Sequence, residues 1–148
     1  MSGRMTHLAV RLLDRMAKLL LRPPAGPAHQ LTGTRGEEDA YFYLRRQGYI
    51  MVARNYRSPH RRGEIDLIGW DGEVLCFIEV KTRTTRDVKP AEAAVSHDKQ
   101  YLVAGVAKEY LRRVAGTPGW RFDILSVYYD MPSVTPEITL FKNAFSMS

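Results

Sequence analysis

The sequence predicts an α/β protein, a mixed β-sheet with helices packed on it, and three observations carry that reading. Two strand-like runs, EIDLIGW (64–70) and EVLCFIEVKTR (73–83), flank Asp71-Gly72, and Asp-Gly between such runs is the strongest short hairpin signal. A helical pattern follows from about 91 to 114, bounded by Pro90 and Gly116, with Val95, Lys99, Leu102 and Val106 on one stripe. A further apolar run, WRFDILSVYY (120–129), reads as another strand. Helix, three strands, helix, strand is the order of a mixed sheet covered by helices.

The remaining elements follow from local signals. Thr34-x-x-Glu37 fits a capping box, which predicts a helix over 35–47 that stops at Gly48. YIMVARNYR (49–57) reads as a strand, SPHRRG (58–63) as a loop, and TPEITLF (135–141) as a short edge strand. Before them, residues 5–21 place Leu8, Leu12, Met16 and Leu19 on one helical face. That segment could dock on a membrane surface or a partner, but a plain extension is the preferred reading. RPPAGPAHQ (22–30) reads as a Pro/Gly linker. Residues 1–30 are therefore taken as a basic amphipathic helix with its linker, and 31–148 as the folded domain.

Charge and cysteine content narrow the setting. The formal net charge is +6, yet residues 1–35 contain six Lys/Arg against Asp14 alone, and residues 36–148 are almost balanced. The basic pI therefore reflects the N-terminal segment and does not by itself argue that the domain binds nucleic acid. Cys76 is the single cysteine, so an internal disulfide and a Cys/His zinc site are excluded, and a reducing compartment, the cytoplasm, is expected. No apolar run has the length of a membrane span, so no integral membrane association is expected.

The hairpin carries the chemistry. With a two-residue loop at Asp71-Gly72, residue 66 faces 77 and residue 64 faces 79. Alternation then puts Glu64, Asp66, Glu79 and Lys81 on one face at the open end, and Ile65, Leu67, Val74, Cys76, Ile78 and Val80 on the other. Carboxylates this close repel unless a cation lies between them. Oxygen ligands without His or Cys suit magnesium or manganese, which polarises a phosphoryl oxygen and lowers the pKa of bound water. Lys81 could orient the attacking hydroxide or neutralise charge in the transition state. Taken singly, Glu64 could simply pair with Lys81, and Asp66 could be a surface residue. As a group, a metal site is the better reading. Lys99 should point to the sheet, and Glu37, striped with Ala40 and Leu44, should do so too. A snorkelling lysine and a capping glutamate are the ordinary alternatives for these two.

The spacing of Asp66 to Glu79-Val80-Lys81 resembles the PD-(D/E)XK signature of restriction-endonuclease-like nucleases. Glu37 upstream on a helix is similar to the layout of archaeal Holliday-junction resolvases. Gly36-Glu37, Arg54-Asn55, GEIDLI (63–68), FIEVKTR (77–83), Lys99 and RFD (121–123) resemble the YraN-type family, a bacterial group predicted to be nucleases. The resemblance covers about residues 33–145 and implies a restriction-endonuclease-like sheet flanked by helices. It also implies metal binding by Asp66, Glu79, the Val80 carbonyl and Glu37, with Glu37 acting directly or through another ligand. Lys81 would be the catalytic lysine and Lys99 would face the scissile phosphate. The usual proline before the aspartate is absent, Ile65 standing there, and the role of Glu64 is undefined.

The expected activity is a Mg²⁺- or Mn²⁺-dependent DNA endonuclease acting on branched, recombination or repair intermediates. Arg54, Arg57, Arg61, Arg62 and Arg83, with Arg86 on the same side, are expected to hold phosphates without reading bases. The alternative is a non-catalytic nucleic-acid- or partner-binding module that retains the nuclease fold. A homodimer is expected only by analogy with resolvases of this fold.

Overall fold

A computed structural model describes residues 28–84, 95–130 and 135–146 of the chain. The element order is α1 (Ala28–Arg46), β1 (Ile50–Arg57), β2 (Glu64–Asp71), β3 (Val74–Arg83), α2 (His97–Arg113), β4 (Gly119–Tyr128) and β5 (Glu137–Phe145). The five strands form one sheet in the order β1-β2-β3-β4-β5. Only β3 and β4 are parallel, and α2 makes the crossover between them. The sheet is therefore mixed, as expected, and consistent with a restriction-endonuclease-like fold.

Each helix covers a different face. Ala40 and Leu44 of α1 pack with Leu67, Cys76, Ile78, Val80, Leu125 and Val127. Val103, Val106 and Ala107 of α2 pack with Ile68, Leu75, Phe77 and Phe122 on the opposite side. This is the period-two alternation of β3 and β4 written in space. One strand residue breaks the rule. Ile65 leaves the face of Leu67 and joins the α2 cluster, so the expected apolar set is one residue too long.

The hairpin turns one residue later than predicted. Asp71 pairs with Val74, and the loop is Gly72-Glu73, with Gly72 at φ +59°. Positive φ at the first loop position alone is what a type II′ hairpin asks for. Asp71 stays in the strand because three donors hold it. Arg121 Nη2 lies at 2.8 Å, Lys142 Nζ at 3.1 Å and the Tyr49 hydroxyl at 3.2 Å. The register shifts by two, so Ile68 pairs with Phe77 and Leu67 with Ile78, and the same register continued would set Asp66 toward Glu79 rather than Phe77, and Glu64 toward Lys81 rather than Glu79. An even shift leaves the faces unchanged.

The helix limits also differ from expectation. α1 begins at Ala28, so Thr34 and Glu37 are interior residues and the capping box is not the N-terminus. α2 begins at His97 rather than near 91. Ser96 is its N-cap, with its Oγ accepting from the Lys99 N–H at 3.3 Å, and Val95 is buried just ahead of it. Residues 91–94 and the N-terminal segment 5–21 lie outside the described residues. The last strand is longer than expected. It runs to Phe145, and the Asn143 N–H donates to the fully buried Asp123 at 2.9 Å.

Candidate active site

The site begins where the β2–β3 ladder stops. The last backbone pair is Leu67 with Ile78. Continued regularly, the ladder would set Ile65 against Val80. Instead the Val80 N–H donates to Asp66 Oδ2 at 2.8 Å. The Asp66 carboxylate thus replaces a ladder partner and is held at the fork between the strands. Burial pushes its pKa up to about 7, and the charges of Glu79 and then Glu37 add to this, against the Val80 hydrogen bond.

Glu79 is almost wholly buried, yet its charge is balanced. Lys99 Nζ lies 2.5 Å and Lys81 Nζ 3.5 Å from Glu79 Oε1. Burial works against the Lys99 ammonium, but the hydrogen bond and charge of Glu79 outweigh it and raise its pKa. The Ser96 cap explains the placement, since it starts α2 where Lys99 falls in the first turn above the sheet.

Glu37 arrives from the other face. A Cβ built on Gly36 would lie 1.8 Å from Thr82 Oγ1, so only glycine lets α1 approach the end of β3 so closely. The neighbouring Glu37 is half-buried, and its pKa is raised by burial, then by Glu64 and Glu79. Asn55 joins the two outer carboxylates. Its amide nitrogen, turned toward them, donates to Glu37 Oε2 and Glu64 Oε1, each at 3.1 Å. Glu64 is also paired with Arg57 Nη2 across the β1–β2 ladder at 2.7 Å, so its ion-pair partner is Arg57 and not Lys81.

The five basic residues expected at phosphates are placed differently from one another. Arg54 stacks on the Tyr41 ring, 4.5 Å from its centroid, near Glu37. Arg57 is engaged by Glu64, while Arg61 and Arg62 are exposed in the 58–63 loop. Arg83 Nε is buried with no hydrogen-bond partner among the described residues. The 58–63 loop is pinned to α2. The Ser58 hydroxyl donates to the buried Glu109 and accepts from the N–H groups of His60 and Arg61. Gly63, at φ +113°, lies against Leu102 and Val106.

Asp66, Glu79, Lys81, Lys99 and Glu37 therefore converge, together with Glu64. Asn55 entered the sequence reading only within the Arg54-Asn55 pair of the family resemblance, with no role at the site. It stands in a strand-like run, and its left-handed backbone, φ +48°, marks a special position. A cleft of about 520 Å³ opens between β2 and α2, with Glu64 and Asp66 at its base and Asp98 and Lys99 on its wall.

The carboxylates gathered here are oxygen donors of the kind a hard divalent cation takes, and burial first, then their mutual charge, raises Asp66 and Glu37. Among the described residues, no three His, Cys, Asp or Glu side chains stand close enough to form a ready ligand set. Ammonium groups balance Glu79 instead.

The fold and site together define a mixed α/β protein with a carboxylate–lysine cleft at the fork of a hairpin. The chain belongs to the uncharacterised protein family UPF0102, whose model matches residues 36–127. It is 54% identical over 143 residues to a UPF0102 protein of Koribacter versatilis, covering 97% of this chain and 96% of that one. A UPF0102 protein of Solibacter usitatus is 42% identical over 137 residues, covering 92% and 99%. One of Herminiimonas arsenicoxydans is 36% identical over 113 residues, covering 76% and 88%. No helix among the described residues is long and apolar enough to cross a membrane.

Proposed function

We propose that this chain is a divalent-cation-dependent endonuclease that hydrolyses phosphodiester bonds in DNA, with branched or repair intermediates as its substrates. One observation supports this above others. Asp66, Glu79 and Lys81 meet at a strand fork, beside an open cleft, with Lys99 reaching them from α2. Asp66 and Glu79 would hold the cation, with Glu37 behind them. A strand residue turns its N–H and C=O toward the same neighbour, so the Val80 carbonyl faces the gap that Asp66 fills and can contribute. When bound, Mg²⁺ or Mn²⁺ polarises the phosphoryl oxygen and acidifies its water. Lys81 orients the attacking water or offsets the charge that develops on phosphorus, and Lys99 swings from Glu79 toward the scissile phosphate. Arg61 and Arg62 hold flanking phosphates. The family resemblance implies a 5′-phosphate and a 3′-hydroxyl as products.

The test is cleavage of four-way-junction, flap and linear DNA with Mg²⁺ or Mn²⁺, with Lys81→Ala as control. No cutting by the wild type, or equal cutting by the variant, ends the catalytic reading. A second reading, a binding module that retains the fold, draws on the two ammonium groups that already balance Glu79. Calorimetry separates the two. Mg²⁺ binding that Asp66→Asn abolishes supports the enzyme, and DNA binding without any Mg²⁺ binding supports the module.

A further inference from the structure

Next to the catalytic cleft, α2 carries a second concavity of about 520 Å³, lined by Arg61, Gln100, Tyr101, Gly105 and Lys108 among others. Asp98 lines both hollows, so they adjoin. Tyr101 is 79% exposed, far more than a ring of its size needs to be on a helix that buries Val103, Val106 and Ala107. Arg61 is brought to it by construction. The Ser58–Glu109 hydrogen bond ties the loop to α2, and the missing side chain at Gly105 leaves room for the Arg61 guanidinium. A Cβ there would meet Arg61 Nη1 at 3.2 Å. Neither Arg61 nor Lys108 has a carboxylate partner among the described residues.

We propose that this hollow is a stacking platform for an unpaired nucleobase. Tyr101 receives the base, and Arg61 and Lys108 grip the adjoining phosphates. An open aromatic ring beside two unpaired cations is what a single strand requires, because every base offers a π-face and every linkage a charge. A protein partner would need a broad apolar surface, and Leu102, 38% exposed, is the main apolar neighbour. The substrate class is therefore nucleic acid with a single-stranded segment beside the scissile bond. The position relative to that bond rests on the nuclease reading, whereas the platform itself does not.

The experiment uses the full chain carrying Asp66→Asn, so that nothing is cut during binding. Fluorescence anisotropy compares a blunt duplex with the same duplex bearing a single-stranded overhang, in DNA and in RNA. The overhang should bind more tightly. Tyr101→Ala should weaken overhang binding about tenfold or more and leave the blunt duplex unchanged, while Tyr101→Trp retains affinity. Arg61→Ala with Lys108→Ala should reduce the salt dependence of overhang binding by about one to two phosphate contacts. If Tyr101→Ala binds the overhang as well as its parent, or loses both duplexes equally, the platform is wrong. Cleavage that ignores Tyr101, where overhang binding depends on it, would remove the placement beside the scissile bond and keep both the platform and the nuclease. A wild type that cuts nothing but holds overhangs through Tyr101 would remove the nuclease and keep the platform.

Discussion

Lys99 of α2 and Glu79 of β3 form an ion pair at 2.5 Å, joining the crossover helix to the strand at the middle of the sheet. The pair is asymmetric, because Glu79 is almost wholly buried and Lys99 is 43% exposed. Replacing Lys99 by Met should therefore cost only about 1 kcal/mol in chemical denaturation at neutral pH, because Lys81 still faces Glu79. Replacing Lys81 and Lys99 together should cost more than the two single changes added, about 3 kcal/mol or above, because a buried carboxylate is then left alone.

Asp66 should make stability fall as pH rises. Its carboxyl titrates near 3.8 when free and about 7 in the fold. Below about pH 4 both states hold the proton and the contribution is complete. Between about 4 and 7 the folded state keeps a proton that the unfolded chain releases, so stability declines, and above about 7 the loss is full. Without divalent cation, Asp66→Asn should flatten this dependence and unfold at a higher denaturant midpoint than wild type at pH 8, by about 1–3 kcal/mol. A parallel pH dependence in both proteins would count against the assignment.

Gly36→Ala should separate α1 from β3. The new methyl would collide with Thr82, and the expected loss is about 1–3 kcal/mol by thermal or chemical unfolding. Thr82→Ala in the same chain should restore part of it, since it removes Oγ1 but leaves Cβ at 2.9 Å. Purely additive effects would show that the two residues do not touch.

Ser58→Ala should loosen the arginine loop. Among the described residues Glu109 would keep only Arg113 as a partner, at 3.5 Å, and the N–H groups of His60 and Arg61 would lose the Ser58 acceptor. A stability loss of about 1–2 kcal/mol is expected, together with faster tryptic cleavage after Arg61 and Arg62. Unchanged cleavage kinetics would mean that the loop is held by Gly63 packing alone.

Much of this architecture was legible from local chemistry. The sequence by itself determined the hairpin, the run of strands and helices, and the carboxylates and lysines that share one face, because alternation and turn residues act over a few positions. Four features were decided only by tertiary contact. Arg121, Lys142 and Tyr49 keep Asp71 in its strand, and this sets the turn at Gly72-Glu73 and the register that pairs Leu67 with Ile78, just before the fork. The contact of Gly36 with Thr82 brings Glu37 in from the opposite face. Asn55 joins Glu37 to Glu64 through a backbone shape that residue patterns do not reveal. Lys99 reaches Glu79 only because α2 crosses over between β3 and β4. In each case the partners are distant in the chain, and their meeting depends on packing, which no short window of residues encodes.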